Sequence, residues 1–167
     1  MLSLDVRALA HHAATVSGEL APSDPVWSDA DVRPVSAVRV VGRVSSAGGG
    51  RFYFSGRIEG VAAQQCTRCL DAIEVRVRED VRALFAEADT AVNDDPDVYI
   101  LEAGSGVLDL KPAVREHWLL SVPRFALCKE DCRGLCPACG ENLNHATCAC
   151  VPRRDSRWDA LRVPRHE

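Results

Sequence analysis

The stretch RFYFSGRIEGVAAQQCTRCLDAIEVRVREDVRALF, residues 51–85, contains two alternating segments separated by the motif CTRC. In the first segment Phe52 and Phe54 alternate with polar or small residues, and in the second Ile73 and Val75 alternate with charged ones. A period of two is typical of a β-strand that is buried on one face and exposed on the other. We therefore predict two long antiparallel strands with the CTRC motif at their turn.

The second of these strands carries charges of both signs on its outer side. We interpret that side as a solvated sheet face, because mixed charges on an alternating strand usually point to water. The charged residues are Arg76, Arg78 and Arg82 together with Glu74, Glu79 and Asp80.

The chain before residue 51 predicts a further strand and a connector. The valine-rich segment 36–46 and the turn AGGG at 47–50 predict a hairpin with the strand that follows. Nearer the N-terminus, residues 4–13 have helical spacing and predict a short helix. The proline-containing segment 22–34 predicts a connector, which Trp27 would pin to the core.

The chain after residue 85 predicts a loop, two short strands and a helix. Segment 87–97 is acidic and contains Pro96, which predicts an exposed loop. Segment 97–110 predicts two short strands around its glycines, and Asp109 is placed to cap a helix over 110–122. The residues predicted to face inward on this helix are Leu110, Val114, Trp118 and Leu119.

These elements predict an α+β fold in which an antiparallel sheet or a partly open barrel dominates, with one or two short helices. At 167 residues and 47% hydrophobic residues, the chain is long and apolar enough for a single core. We predict a β-rich domain over 1–127, a cysteine-rich zinc module over 128–150 and an arginine-bearing tail over 151–167.

Charge and hydropathy restrict the environment of the protein. A formal net charge of -4 argues against a surface that binds nucleic acid by diffuse positive charge. The chain has no apolar run long enough to span a membrane, and Asp5, His11 and His12 interrupt its N-terminus where a signal peptide would be apolar. We therefore expect a cytoplasmic protein, in which clustered cysteines bind metal more often than they form disulfides.

The eight cysteines predict one or two structural zinc ions. The motif CPACG and the later CAC predict one four-thiolate site, and the CTRC pair predicts a second with the two cysteines that precede CPACG. Two alternatives stay open, namely a mixed set of Cys66, Cys69, Cys136 and Cys139, and His145 in place of a cysteine. The preferred sets are Cys66, Cys69, Cys128 and Cys132, and Cys136, Cys139, Cys148 and Cys150.

A thiol-based redox sensor or dithiol enzyme is the alternative function for these cysteines. A thioredoxin-like pair should begin a helix after a strand in a βαβ unit, and neither CxxC pair does so. The sequence also contains no phosphate-binding loop, no serine nucleophile elbow and no HExxH motif. We therefore expect a protein that is not an enzyme and has no small-molecule substrate.

The segment CTRCLDAIEVRV, followed by CRGLCPACGENLN, CAC and DSRWDAL, resembles the bacterial YceD family of large ribosomal RNA subunit accumulation proteins. The N-terminal LDVRALAHHAATVSGEL is also similar to the opening of that family. The resemblance implies a β-rich domain with a C-terminal cysteine segment. It also implies a non-enzymatic factor needed for normal levels of 23S ribosomal RNA and hence for large-subunit biogenesis.

Such a factor would bind ribosomal RNA, a large-subunit ribosomal protein or another assembly factor. An acidic protein can bind structured RNA if its basic groups are concentrated on one face. Trp158 would stack on a base, although a role with Leu161 in docking the tail onto the sheet is the favoured alternative. The candidate contact residues are Arg68, Arg133, Arg153, Arg154, Arg157 and Trp158.

Overall fold

The computed structural model describes residues 2–30, 32–88, 97–102, 104–151 and 157. Strands dominate the described chain, and two helices accompany them. In chain order the elements are β1 (Ser3–Asp5), α1 (Val6–Leu9), β2 (Ala14–Leu20), a 3-10 helix (Pro25–Trp27), β3 (Val38–Gly48), β4 (Arg51–Gln65), β5 (Ala72–Glu87), β6 (Val98–Leu101), β7 (Val107–Asp109) and α2 (Lys111–Ser121).

Five strands form one open sheet in the order β2-β3-β4-β5-β6, and β1 pairs with β7 in a second, two-stranded sheet. The predicted β-dominated fold is confirmed, and the described strands form an open sheet and not a barrel. One pairing departs from the antiparallel prediction, because β6 runs parallel to the end of β5. Tyr99 of β6 stacks on Phe85 of β5 with ring centroids 5.2 Å apart, and this contact favours the parallel register.

The long hairpin of β4 and β5 confirms the alternating pattern of the opening stretch. Phe54 and Ile58 of β4 and Val81 of β5 are fully buried, whereas Asp80 and Arg82, the charged neighbours of Val81, are exposed. Strands β3 and β4 approach closely where Gly42 faces Gly56, since a Cβ atom on Gly42 would lie 2.6 Å from the Gly56 Cα. The close approach therefore requires glycine at both positions.

The predicted helix over 4–13 is wrong in extent, since α1 contains only four residues. Leu4 instead pairs with Leu108 in the β1–β7 sheet, so that strand pairing replaces the first helical turn. The side chain of Asp5 accepts a hydrogen bond from the backbone N–H of Arg7 at 2.8 Å and begins α1. Strand β2, which pairs along its length with β3, was missed because its sequence ATVSGEL contains a glycine and few strand-forming residues.

Helix α2 packs on the inner face of the sheet and confirms the helix predicted near 110–122. Val114 and Trp118 are fully buried, and Trp118 contacts Trp27 edge-on with ring centroids 6.0 Å apart. Trp27 thus pins the connector to the core, as predicted. Leu110 occupies the cap position that was predicted for Asp109, whose carboxylate accepts a hydrogen bond from the Lys111 N–H at 3.1 Å.

The turn between β4 and β5 lies outside the main core and belongs to a second, smaller buried cluster. This cluster consists of Cys66, Cys69 and Cys132, with Ile73 and Leu135 packed against it. The sheet therefore presents the CTRC motif at one end, where the C-terminal cysteine segment meets it. Within the described ranges, no helix is both long and apolar enough to cross a membrane.

Candidate metal centre

The CTRC motif folds into a tight loop at the end of the β4–β5 hairpin. The backbone N–H of Cys66 donates to the carbonyl of Asp71 at 2.8 Å, and the N–H of Leu70 donates to the carbonyl of Cys66 at 2.9 Å. Leu70 has a φ of 63°, in the left-handed region that non-glycine residues rarely adopt. The loop therefore turns both cysteine side chains toward the same point.

The CPACG motif repeats this geometry in the C-terminal segment. The N–H of Cys136 donates to the carbonyl of Glu141 at 2.8 Å, and the N–H of Gly140 donates to the carbonyl of Cys136 at 2.9 Å. Gly140 has a φ of 78° and occupies the position that Leu70 holds in the first loop. The chain thus contains two equivalent CxxC loops.

Each loop is completed by a second pair of cysteines. Within each group of four, the sulfur atoms lie within 4.8 Å of one another. We name the groups the hairpin cluster (Cys66, Cys69, Cys128 and Cys132) and the C-terminal cluster (Cys136, Cys139, Cys148 and Cys150). These are the two preferred sets of the sequence analysis, and the mixed set does not form.

The hairpin cluster is assembled by contacts between the CTRC loop and the segment after α2. The N–H of Thr67 donates to the carbonyl of Ala126 at 2.9 Å, and the N–H of Leu135 donates to the carbonyl of Arg68 at 3.0 Å. These two bonds hold the segment on either side of Cys128 and Cys132. As a result, both cysteines meet the CTRC thiols although they lie far along the chain.

The sulfur distances in the hairpin cluster fit a tetrahedral metal ion. Cys66 Sγ lies 3.7 Å from Cys132 Sγ, and Cys69 Sγ lies 3.6 Å from Cys128 Sγ. An ion with Zn–S bonds of about 2.3 Å places its sulfur ligands about 3.8 Å apart, whereas a disulfide requires about 2.0 Å. Either cluster of four cysteines could therefore hold a metal ion, and a four-thiolate donor set suits zinc.

Backbone donors stabilise the thiolate form of the first cysteine in each loop. Burial acts to raise the pKa of Cys66, but hydrogen bonds from the backbone N–H groups of Cys128, Cys69 and Arg68 outweigh it and lower this pKa to about 6. In the second loop, backbone N–H groups of Cys139 and Ala138 lower the pKa of Cys136 to about 6. Thiolates are the form that binds metal, so these donors favour metal coordination.

A polar network around Asp71 joins the two clusters. Its carboxylate accepts a hydrogen bond from the Cys69 thiol at 3.3 Å and from the Asn142 side chain at 2.9 Å. The same carboxylate lies 3.3 Å from His145 Nε2. Asp71 belongs to the first loop, whereas Asn142 and His145 belong to the segment that closes the second cluster. His145, the open alternative ligand, therefore contacts Asp71 and lies outside both clusters.

Asn144 supports the hairpin cluster from the C-terminal segment. Its side-chain amide donates to Cys132 Sγ at 3.3 Å, and its side-chain oxygen accepts the backbone N–H of Arg133 at 2.9 Å. This amide lowers the pKa of the Cys132 thiol. Sequence reasoning missed Asp71, Asn142 and Asn144, although their polar side chains directly follow the two CxxC motifs.

The candidate partner-binding residues fall into three groups. Arg68 donates from its guanidinium to the Cys132 carbonyl at 3.1 Å and therefore lies beside Arg133. Arg133 is exposed, and Arg157 is described and exposed. Three further candidates lie outside the described residues, namely Arg153, Arg154 and Trp158.

Comparison with known proteins gives matches over the part of the chain that carries both clusters. Residues 54–163 match the family described as "Large ribosomal RNA subunit accumulation protein YceD". Uncharacterized proteins of Mycobacterium bovis and Mycobacterium tuberculosis are 30% identical over 110 residues, which cover 64% of this chain and 52% of theirs. The Bacillus subtilis protein YlbN is 30% identical over 115 residues, covering 68% of this chain and 65% of YlbN.

The chain therefore spans about half the length of its mycobacterial relatives, at 52%. No solved structure matches it. The family match covers well over half of the chain and includes all eight cysteines. This extent confirms the resemblance seen in the sequence, and the chain belongs to the YceD family of large ribosomal RNA subunit accumulation proteins.

Proposed function

We propose that this protein is a non-enzymatic factor that supports 23S ribosomal RNA accumulation and large-subunit biogenesis by binding ribosomal RNA or a large-subunit ribosomal protein. The family name implies a role in accumulation of large-subunit ribosomal RNA. The observation that carries the proposal is the pair of four-cysteine clusters, because a full set of four thiolates leaves no open position on a metal ion. Such sites stabilise a binding surface and do not activate a substrate.

In this proposal two zinc ions fold residues 128–150 against the end of the sheet. The hairpin cluster holds one ion and the C-terminal cluster holds the other, and their ligands are the eight cysteines. The segment contains few large apolar residues, so metal coordination replaces a hydrophobic core. It forms a module between the β-rich domain at 1–127 and the tail at 151–167.

The metal module would present basic residues at one end of the molecule. Arg68 is already held by the Cys132 carbonyl, so its main role is to position the loop. Arg133 is exposed and its backbone is anchored to Asn144, which makes it the better contact residue. The tail residues Arg153, Arg154, Arg157 and Trp158 belong to the same proposed surface.

The experiment that tests this function is sedimentation of a lysate containing the tagged protein through a sucrose gradient. We expect the protein in fractions at or below the mature large subunit, with precursor 23S RNA recovered on the tag. A protein that stays at the top of the gradient without ribosomal RNA would contradict the proposal. The variant Arg133→Ala tests the module surface, and Arg7→Ala, on the exposed side of α1, is its matched control.

Thiol redox chemistry is the second candidate function. The observation that favours it is the lowered pKa of Cys66 and Cys136, because thiolates are the reactive form of cysteine. Cys66, however, is fully buried, which restricts access to an oxidant. The redox function predicts rapid alkylation of the folded protein and little bound metal, whereas two equivalents of zinc and protected cysteines would eliminate it.

A cytoplasmic location is part of the same proposal. Reduced thiols are required for metal binding at both clusters, and the cytoplasm keeps thiols reduced. It is also the compartment in which bacterial ribosomes are assembled. Zinc measured in protein purified anaerobically from its native host would support this location, and intramolecular disulfides in that material would argue against it.

A further inference from the structure

The side of the sheet that faces away from α2 carries arginines on two of its central strands. Arg39 and Arg43 lie on β3 and Arg82 lies on β5, and all three are exposed. Val40 and Val81, their neighbours along these strands, are fully buried on the opposite side. The arginines therefore share one outer face of the sheet, at a distance from both cysteine clusters along the hairpin.

This outer face contains a shallow depression of about 550 Å³. Its floor is formed by small or short side chains on the central strands, so the longer arginine side chains stand around it. The lining includes Arg39, Val41, Ser55, Arg57, Asp80 and Arg82.

The carboxylates of this depression are already paired with their own arginines. Arg57 Nε lies 2.7 Å from Asp80 Oδ1, and Arg78 Nε lies 3.2 Å from Glu59 Oε1. Among the described residues, no ion pair involves Arg39, Arg43 or Arg82. Arg82 acts electrostatically on Asp80 and Arg39 lies opposite Glu19, but neither is held in an ion pair with a described residue, so all three guanidinium groups can contact an external anion.

The spacing of the free arginines suits a polyanion better than a single small anion. Arg39 and Arg43 are four residues apart on one strand, which separates their Cα atoms by about 13 Å. Arg43 and Arg82 both lie opposite Ser55, on the strands that flank it, so their Cα atoms are about 10 Å apart. A nucleic-acid strand carries one phosphate per nucleotide and can contact arginines spread over this area, each in bidentate geometry.

An exposed aromatic ring lies on the same face. Tyr53 is 38% exposed and precedes Ser55 by two residues on β4, so it points to the same side of the sheet. Base stacking on an exposed aromatic ring is a common contact of proteins that bind unpaired nucleic acid. The Tyr53 ring therefore lies next to the cross-strand row formed by Arg43, Ser55 and Arg82.

We propose that the outer sheet face binds an unpaired segment of RNA, with Arg39, Arg43 and Arg82 on phosphates and Tyr53 stacked on a base. We name these four residues the arginine face. The inference rests on the proposed function, which it deepens by adding a second RNA contact away from the metal module. It revises the interpretation of Arg82 as part of a solvated face, because the acids that line the depression pair with other arginines.

The test is fluorescence anisotropy of a labelled oligouridine of about 12 nucleotides with the purified, zinc-loaded full chain. Arg43→Ala with Arg82→Ala should weaken binding about tenfold or more and reduce the slope of log K against log salt by about 1.4, for two lost contacts to a single strand. Arg7→Ala with Arg33→Ala removes the same charge elsewhere on the surface and should leave binding unchanged.

Tyrosine variants test the stacking contact independently of charge. Tyr53→Thr should weaken oligouridine binding about tenfold, whereas Tyr53→Phe keeps the ring and should bind like the wild type. Zinc content and unfolding midpoint equal to the wild type establish that each variant is folded. The inference is overturned if both arginine pairs have the same effect, or if the face binds a ribosomal protein and no RNA.

The sedimentation and oligouridine-binding experiments together distinguish failure of the inference from failure of the proposed function. A wild-type protein that sediments with precursor 23S RNA, but whose arginine-face variant binds oligouridine normally, retains the function and loses the inference. A wild-type protein that binds oligouridine through the arginine face without sedimenting with ribosomal RNA retains the RNA site and loses the ribosomal function.

Discussion

Leu70 and Gly140 occupy the same position in the two CxxC loops, and only one of them suits it. Both residues have a positive φ, of 63° and 78° respectively, which glycine adopts freely. A leucine in this region costs about 1–2 kcal/mol from contact between its Cβ and the backbone. Leu70 is also 56% exposed, so little burial offsets that cost. Leu70 therefore combines a strained backbone conformation with an exposed apolar side chain beside the hairpin cluster.

Reciprocal substitutions should therefore have opposite effects on stability. We expect Leu70→Gly to leave the free energy of unfolding unchanged or raise it by up to about 1 kcal/mol, because the relief of strain exceeds the gain in chain entropy. Gly140→Ala should lower it by about 1 kcal/mol, since an added Cβ meets no atom within 4 Å and only the backbone conformation is penalised. Urea unfolding of the zinc-loaded proteins measures both; destabilisation by Leu70→Gly would contradict the strain argument.

Asp71 is the residue whose removal should weaken metal binding without removing a ligand. Its carboxylate accepts a hydrogen bond from Asn142 and lies 3.3 Å from His145 Nε2, so it holds the segment that closes the C-terminal cluster against the CTRC loop. We expect Asp71→Ala to lower zinc affinity about tenfold or more, as for other residues that support metal ligands. Competition with a chromophoric chelator measures the affinity. The exposed Glu79→Ala is the matched control, and equal zinc retention in both variants would remove Asp71 from this role.

At the scale of elements, an ion pair connects the 3-10 helix to the start of α2. Asp24 accepts the Val26 N–H at 3.0 Å through one carboxylate oxygen and pairs with Lys111 Nζ at 2.9 Å through the other. The Val26 N–H and the Lys111 ammonium both lower the pKa of Asp24. Because the connector also carries Trp27, this pair holds it where the two tryptophans meet.

The contribution of this pair should depend on pH. The pKa of Asp24 is lower in the folded state than in the unfolded chain, so its stabilising effect is complete above about pH 4 and is lost as the pH falls through the folded-state pKa. Asp24→Asn keeps an acceptor for Val26 but removes the charge. We expect a loss of about 0.5–1 kcal/mol at neutral pH that shrinks toward zero in acid.

Unfolding of wild type and variant at matched pH and matched zinc content measures this difference. Asp29→Asn changes a neighbouring exposed carboxylate and is the matched control. A difference between wild type and Asp24→Asn that persists unchanged in acid would assign the effect to packing and not to charge.

At the scale of the whole molecule, two buried clusters depend on different forces. The larger one joins apolar residues from Leu2 to Val122 and contains Trp27 and Trp118. The smaller one is built from Cys66, Cys69 and Cys132, and therefore depends on what holds the thiols together. The hydrophobic core stabilises the sheet directly, whereas the C-terminal module has almost no apolar burial of its own.

Removal of metal should therefore unfold one part of the molecule and spare the other. After treatment with a strong chelator under reducing conditions, we expect amide exchange protection to be lost over residues 128–150 and retained in β3, β4 and β5. Hydrogen exchange followed by mass spectrometry measures both regions, and restoration of protection by added zinc is the control. Loss of protection throughout the sheet would mean that the metal sites also hold the main core.

Local patterns were sufficient for the central hairpin, helix α2 and the position of the CTRC turn. The alternation that includes Phe54 and Val77, and the helical spacing of Val114 and Trp118, can be recognised from residues that are close together in the sequence. All four side chains are buried in the structure. Spacing also favoured the cysteine sets that the structure brings together, because short CxxC loops point two thiols to one place.

Only the tertiary structure decided the features that depend on distant segments. Strand β2 and the parallel pairing of β6 are set by contacts with their partner strands, which their short and irregular sequences do not encode locally. The choice between the open cysteine assignments, and the link from Asp71 to Asn142, required the CTRC loop and the C-terminal segment to meet. Side chains far apart in sequence become ligands and partners only when the sheet has placed their backbones, because hydrogen bonds and metal coordination act over a few ångströms.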